Sequence, residues 1–214
     1  MPMRDKRTRH RWLTVGSLLL TASASPSQAG YFPLSFEKPS LKCGNRLLPV
    51  MSKFKVDWYS RPLSKAKETS LYEASGSKRE PAKRTVGFTW LRSFHHPIVI
   101  RGQWEGKDDV RLIAKELSGS GGSEPGHVQK SLDRRLSEAE ILQVRTAIFQ
   151  SPLFLEAPKV CDVGFNVDGA QWIVEGSFGR AYRLVDRWSP RDGEARRTGL
   201  LLLKLTGWDV GPIY

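Results

Sequence analysis

Hydrophobic and polar residues alternate along several short stretches of the chain, and this pattern predicts strands. Between residues 85 and 91, aromatic, aliphatic and small polar residues alternate with a period of two. Successive side chains of a strand point to opposite faces, so this period is typical of a strand. The same reasoning predicts strands over residues 98–101 and 110–117. Residues 170–175 and 181–186 flank a glycine-containing turn and are therefore predicted to form a β-hairpin.

Two helices are predicted from the signals at their ends. Ser137 and Glu140 have the spacing of a capping box, in which each side chain accepts a hydrogen bond from the backbone of the other residue. The helix that follows is expected to end before Pro152, because proline disrupts a helix interior. A second helix is predicted over residues 194–205, with Gly207 as the residue just past its end.

Together these elements predict an α+β fold. Strands joined by short turns pair antiparallel, and helices can cover one face of such a sheet. We therefore expect an antiparallel sheet of about four to five strands with two main helices on one face. The predicted organisation is a signal peptide at residues 1–29, an irregular basic arm at 30–54, a single α+β domain at 55–207 and a C-terminal tail at 208–214.

The first 29 residues have the three parts of a secretory signal peptide. A basic start is followed by an apolar stretch and then by Ser27-Gln28-Ala29, a small-x-small cleavage site that would leave Gly30 first. The apolar stretch is about ten residues long, whereas a membrane-spanning helix needs about 20. An uncleaved membrane anchor is the alternative. The pattern predicts export to the periplasm or the extracellular space, with no transmembrane span after cleavage.

The positive charge of the chain is concentrated in its first part. The chain has 34 basic and 22 acidic residues, a net charge of +12, and five of the basic residues and one acidic residue belong to the leader. Of the +8 that remains, +7 lies in residues 30–85. A high isoelectric point alone suggests nucleic acid, but export and this distribution argue against it. The favoured interpretation is that these basic residues keep the segment soluble, and binding of an anionic envelope polymer or of lipid headgroups through residues 38–84 is the alternative.

The chain has two cysteines, Cys43 and Cys161. In an oxidising compartment an even number of cysteines suggests a disulfide bond. Such a bond would close a long loop and stabilise the fold by roughly 4–5 kcal/mol in the chain-entropy model. Two buried free thiols are the alternative. A metal site formed by this pair is not expected, because neither cysteine has a Cys or His neighbour at ligand spacing.

No motif assigns a catalytic residue, a cofactor or a metal site. A glycine-rich loop and a Gly-Ser-Phe-Gly turn resemble phosphate loops and nucleophile elbows only in composition. Adjacent histidines in an extended segment point to opposite faces, so they are not expected to bind one metal ion. The candidate binding residues are polar and aromatic side chains near strands and strand ends: His95, His96, Asp168, Trp172, Glu175, Arg187 and Trp188. For the tryptophans, core packing and an aromatic platform for a sugar or peptide are both open.

Several longer strings lie at residues 58–60, 89–97, 114–117, 168–176 and 186–190 and include WYS, WLRSFHHP, DGAQWIVEG and DRWSP. Together these strings resemble a group of uncharacterised, mainly proteobacterial proteins. The resemblance covers most of the predicted domain. It implies that residues 56–73 belong to that domain, but it implies no activity and no catalytic residue. It also says nothing about the cysteine pair.

Three functional hypotheses follow from these patterns. The first is an exported, non-enzymatic binding or interaction module of the bacterial envelope, with its surface at the loop 118–126 and the bend that contains His95 and His96. The second is a small envelope hydrolase that uses one of these histidines with Asp168 or Glu175, which requires hydrogen-bond reach of ~3–4 Å. The third is a protein that binds anionic envelope polymers through its basic segment.

Overall fold

The computed structural model describes residues 30–76, 83–155 and 168–214. The predicted leader and Cys161 lie outside the described residues, so the signal peptide and the disulfide bond stay predictions. The described elements are, in chain order, β1 (Pro39–Cys43), β2 (Arg46–Pro49), α1 (Lys53–Lys65), α2 (Leu71–Gly76), β3 (Thr85–Arg92), β4 (Ile98–Trp104), β5 (Val110–Leu117), β6 (Val128–Arg135), α3 (Glu138–Phe149), β7 (Ala170–Phe178), β8 (Ala181–Trp188) and α4 (Gly193–Thr206).

The α+β class is confirmed, but the expectation of four to five strands is wrong. The main sheet has six strands in the order β6-β5-β4-β3-β7-β8, and every neighbouring pair is antiparallel. The strand that the sequence pattern missed is β6. It lies at the edge of the sheet and is mostly exposed, so its sequence is largely polar and lacks a clear apolar alternation. It is a strand because its backbone pairs with β5. The periodicity of apolar residues in a sequence does not reveal such pairing.

One face of the sheet is covered by α3 and α4, as expected. The capping box of α3 is present: the Ser137 amide donates to Glu140 Oε2 at 2.8 Å, and the Ser137 hydroxyl accepts from the Glu140 amide. The core beneath the helices contains Trp172, whose ring centroid lies 5.4 Å from that of Phe88. Gly199 of α4 faces this indole, and a Cβ there would lie 2.6 Å from two ring carbons. Large core rings thus set how closely α4 approaches the sheet.

The opposite face is also covered, which corrects the prediction of helices on one face only. It carries a second core cluster to which α1 and the segment before β1 contribute. Residues 30–54 are not an irregular arm. They contain the β1–β2 hairpin, and Tyr31, Phe32 and Met51 are buried in this cluster. The prediction differs because a few buried rings, rather than a periodic stretch, attach this segment to the sheet.

The second face contains a buried cation, Arg101 of β4, whose side chain is only 2% exposed. Its Nε donates to Glu68 Oε2 at 3.0 Å, and its Nη2 donates to the Tyr31 hydroxyl. Its Nη1 lies 3.5 Å from Glu175 Oε2. Gly87 on the neighbouring strand provides the space, since a Cβ there would lie 1.9 Å from Nη1. Four distant segments therefore meet around one guanidinium group.

The carboxylate of Glu175 completes this buried network. It accepts hydrogen bonds from the hydroxyls of Tyr31 at 3.0 Å and Tyr182 at 2.9 Å. Burial raises the pKa of Glu175, while the positive charge of Arg101 lowers it. Burial, followed by the charge of Glu175, raises the pKa of both tyrosines. Both hydroxyls are therefore protonated at neutral pH and act as donors.

A second polar contact ties α1 to the edge strand β8. Asp186 accepts from Lys55 Nζ at 2.8 Å and from the Tyr59 hydroxyl at 3.2 Å. It also accepts from the side-chain amide of Gln171 on the neighbouring strand. Burial, followed by the charge of Asp186, raises the pKa of Tyr59, which keeps this hydroxyl protonated. Helix α1 is thus fixed to the sheet by polar as well as apolar contacts.

The ion pair at the start of α3 predicts a pH-dependent stability. Hydrogen bonding from Arg134, followed by the Ser137 amide, lowers the pKa of Glu140 from 4.5 to about 2. The stabilisation by its charged form is therefore present above pH 4.5 and is lost as the pH falls towards 2. We expect Glu140→Gln to lower the free energy of unfolding by about 1 kcal/mol at pH 7. Urea titrations at pH 7 and near pH 2 measure this difference.

The matched control for this experiment is Glu138→Gln in the same helical turn. It removes one charge near the helix N-terminus, and Glu138 forms no ion pair with any residue that the structure describes. We expect its effect at pH 7 to be smaller than that of Glu140→Gln. A difference between wild type and Glu140→Gln that persists unchanged near pH 2 would contradict the account.

The buried Arg101 network predicts strong coupling between Arg101 and Glu175. Arg101→Met leaves a buried carboxylate without its cation, which we expect to cost roughly 3–5 kcal/mol. Glu175→Gln in the same background removes that uncompensated charge and keeps acceptors for the two tyrosines. The double variant is therefore expected to be less destabilised than the sum of the single variants, with a coupling of ~2 kcal/mol. Denaturant titration of all four proteins measures this cycle, and additivity within ~0.5 kcal/mol would refute the coupling.

Candidate functional site

An open cleft of about 580 Å³ lies at one end of the sheet. It is formed where β3 ends, β7 begins and β8 leads into α4. Its volume lies in the range that small-molecule sites occupy. Its lining combines aromatic, apolar and charged side chains: Phe94, Asp168, Gly169, Ser189, Pro190, Arg191, Arg196, Ile213 and Tyr214.

A tight backbone crossing forms one wall of the cleft. Ser189 has a φ of 34°, a region that non-glycine residues rarely adopt. Its hydroxyl accepts from the Ala170 amide at 2.8 Å and so closes the end of the β-hairpin. Gly169, with a φ of 151°, packs against it, and a Cβ there would lie 2.4 Å from Ser189 Oγ and 2.9 Å from the Trp188 ring. Strained backbone of this kind costs about 1–3 kcal/mol and is concentrated at functional sites.

The segment after α4 forms the opposite wall. The carbonyl oxygen of Tyr214 accepts from Trp172 Nε1 at 3.0 Å, and its hydroxyl lies 2.6 Å from His95 Nδ1. Arg92 donates to the carbonyl oxygens of Val210 and His96. Residues 208–214, predicted to be a tail, therefore pack onto the domain and are held by side chains from β3 and β7.

The cleft offers two cations, one anion and an apolar surface. Phe94 is 71% exposed. Arg196 donates to the Pro190 carbonyl at 2.8 Å, and its guanidinium lies 5.4 Å from the Trp172 ring centroid. Throughout the described part of the chain, no carboxylate pairs with Arg191 or Arg196. Asp168 is the acidic residue of the lining.

Four of the seven predicted binding residues meet at this cleft. Asp168 lines it directly, and His95 contacts the lining residue Tyr214. Trp188 packs against Gly169 of the lining. Trp172 is fully buried and is therefore a core residue, but it contacts both Tyr214 and Arg196 and so positions two side chains of the lining.

His96 lies beside the cleft, next to the loop 118–126. Its Nδ1 is 2.8 Å from the Gly119 carbonyl oxygen, and the Gly121 amide donates to the His95 carbonyl at 3.1 Å. The indole N–H of Trp58 donates to the Gly121 carbonyl and fixes the loop from the side of α1. The loop and the histidine bend, which the sequence suggested as one surface, are therefore adjacent.

Glu175 and Arg187 do not line the cleft. Glu175 is five residues beyond Ala170 along β7, about 16 Å at the rise of a strand, and belongs to the buried network. Arg187 is 8% exposed and lies beside Trp172 in the strand register. Over residues 30–76, 83–155 and 168–214, neither His95 nor His96 forms a hydrogen bond or ion pair with a carboxylate.

Residues that the sequence reasoning missed include Phe94, Arg191, Arg196 and Tyr214. Phe94 interrupts the polar residues after a strand, and this is the one local signal that could have identified it. Arg191, Arg196 and Tyr214 carry no such local signal, because only the fold brings them close to Phe94. The described residues contain no group of three His, Cys, Asp or Glu side chains placed to hold a metal ion. None of their helices has the length and apolar character that crossing a bilayer requires.

Comparison with known proteins adds no family to this description. No protein-family model matches the chain. Comparison with curated proteins gives no significant match either. The resemblance of the sequence strings to proteobacterial proteins therefore stays an expectation, and function has to be argued from the site.

Proposed function

We propose that this chain is an exported, non-enzymatic binding module of the bacterial envelope, and that the cleft at Phe94 binds a peptide segment. The observation that carries the proposal is a largely exposed aromatic ring beside two arginines that lack a carboxylate partner in the described structure. Exposed aromatic and guanidinium groups are the side chains that dominate binding energy at protein interfaces. Asp168 adds a place for a positive charge of the ligand.

The mixed charges of the cleft favour a peptide over a simple anion. A peptide segment offers a carboxylate to Arg191, an ammonium or amide N–H to Asp168 and an apolar side chain to Phe94. The walls are fixed by the Ser189–Ala170 and Trp172–Tyr214 hydrogen bonds. A preformed site of this kind loses little conformational entropy when it binds.

The contacts of the polar side chains favour binding over hydrolysis. A serine nucleophile needs a base within hydrogen-bond reach. The Ser189 hydroxyl accepts from the Ala170 amide, and the Nδ1 atom of His95 faces the Tyr214 hydroxyl. The carboxylate of Glu175 is held in the buried network. These groups therefore support the cleft rather than a catalytic pair.

Peptide binding is tested with a short blocked probe that contains one glutamate, one leucine and one lysine. We expect its titration into the ¹⁵N-labelled exported protein to shift the amides of residues 93–95, 168–170, 189, 191 and 192. Replacing the glutamate of the probe by glutamine should weaken binding about fivefold. The double variant Phe94→Ala/Arg191→Ala should weaken it at least about tenfold, a loss of roughly 1.4 kcal/mol.

The matched control is Arg61→Ala, which removes an exposed arginine of α1 that does not line the cleft. We expect it to leave the affinity unchanged. Equal affinity of the wild type and the double variant, or shifts confined to other parts of the molecule, would exclude the cleft as the peptide site.

Export and the disulfide bond are tested on one preparation. When the full chain is expressed in a Gram-negative host, we expect the periplasmic protein to begin at Gly30. Under denaturing conditions without reductant, neither Cys43 nor Cys161 should react with iodoacetamide, and both should react after reduction. A cytoplasmic protein that retains residues 1–29 would contradict the export proposal. Alkylation of both cysteines without reduction would contradict the disulfide.

A further inference from the structure

A second cleft, of about 430 Å³, lies at the other end of the β7–β8 hairpin. It is formed by four parts of the chain that are distant in sequence: the segment before β1, the segment after β2, helix α2 and the hairpin turn. Its lining residues are Phe36, Val50, Tyr72, Ser75, Gly76, Arg180, Tyr182, Arg183 and Leu184. None of these residues belongs to the first cleft, and none is among the seven individual residues that the sequence suggested for binding.

Three aromatic rings form one side of this cleft. The ring centroids of Phe36, Tyr72 and Tyr182 lie 5.4 to 6.0 Å from one another. The hydroxyl of Tyr182 donates to the buried carboxylate of Glu175 at 2.9 Å, which fixes the orientation of its ring. The result is a preformed apolar surface that suits a flat or apolar group.

The charge of the lining has one sign. It contains Arg180 and Arg183 and no acidic residue. Arg183 Nη1 donates to the Tyr182 carbonyl oxygen at 3.0 Å, which leaves its other N–H groups available. Within the described ranges, no carboxylate pairs with either arginine. The nearest acidic residues in sequence, Glu37 and Glu73, follow lining residues but do not line the cleft.

We propose that this second cleft binds a phosphate monoester of an apolar group, with the phosphate on Arg180 and Arg183 and the apolar group on the aromatic rings. Guanidinium groups bind phosphate through paired, charge-assisted hydrogen bonds, and two of them match its double negative charge. The first cleft differs because Asp168 lies in its lining and repels a dianion. This inference goes beyond peptide binding and does not depend on it.

The proposal also relocates the charges that recognise an anion. The sequence placed anion binding in residues 38–84, but the two arginines of this cleft come from the β7–β8 hairpin. In that basic segment, Lys53 pairs with Asp57 and Lys55 with Asp186. To this cleft the segment contributes Val50, Tyr72, Ser75 and Gly76 rather than basic side chains.

The test uses phenyl phosphate as the probe and the exported protein in ¹⁵N NMR titrations. We expect saturable shifts of the amides of Tyr72, Gly76 and Leu184, with binding that weakens as salt is raised. Inorganic phosphate and phenol, each carrying half of the probe, should bind at least about tenfold more weakly. Arg180→Ala/Arg183→Ala should weaken phenyl phosphate binding at least about tenfold, a loss of roughly 1.4 kcal/mol.

Arg191→Ala, in the first cleft, is the matched control and should leave this affinity unchanged. Unchanged thermal unfolding of the double variant, whose arginines are both exposed, establishes that it is folded. Failure of phenyl phosphate to saturate, equal affinity for inorganic phosphate, or equal affinity of the double variant would overturn the proposal.

A second arm distinguishes the two sources of such a ligand. Phosphatidylcholine vesicles that contain phosphatidic acid, whose headgroup is a phosphate monoester, are compared with vesicles of phosphatidylcholine alone. Binding to the anionic vesicles that is lost in the double variant identifies a lipid headgroup. Binding of phenyl phosphate without binding to either vesicle identifies a soluble phosphate ester. Peptide binding to the first cleft is measured in a separate titration. A failure of the peptide proposal can therefore be distinguished from a failure of the phosphate proposal.

Discussion

The burial of Arg101 is the constraint on which the packing of the second face of the sheet depends. A guanidinium in the interior is tolerated only when carboxylates and hydrogen-bond acceptors surround it. Glu68 and Tyr31 accept hydrogen bonds from Arg101, and the Glu175 carboxylate lies 3.5 Å from its Nη1. These three residues come from positions before β3, before β1 and within β7. The contacts that the buried Arg101 requires therefore hold the N-terminal segment on the sheet. That segment covers the second face, so β3 and β7 are buried on both sides.

Strand β7 connects this buried network with both clefts. On one face, Trp172 donates to the Tyr214 carbonyl and lies beneath Arg196, so it shapes the first cleft. On the other face, Glu175 accepts from Tyr182 and fixes a ring of the second cleft. Both sites are thus built on an interior strand that is buried from Ala170 to Ser177, which gives them the rigidity that preorganised binding needs. The two clefts lie at opposite ends of the same hairpin, and only the first has an acidic residue, Asp168, in its lining beside the arginines.

Sequence patterns predicted the elements whose structure depends on contacts between residues close in sequence. The Ser137–Glu140 capping box, the β7–β8 hairpin and the left-handed Gly207 after α4 depend on residues close in sequence. The edge strand β6 is defined by backbone pairing and carries little apolar pattern. The docking of Tyr31 depends on a partner 144 positions away. For the site, sequence reasoning identified Asp168 and His95 by residue type, but only the fold brings them near Phe94 and Tyr214.

The central claim is that one rigid domain carries two clefts of different chemistry, and a competition experiment tests it most directly. The ¹⁵N-labelled exported protein is saturated with the charged peptide probe and then titrated with phenyl phosphate. The account predicts that the second ligand shifts a separate set of amides, at Tyr72, Gly76 and Leu184, with the affinity that it has for the free protein. Displacement of the peptide by phenyl phosphate, or one shared set of shifted amides, would contradict it.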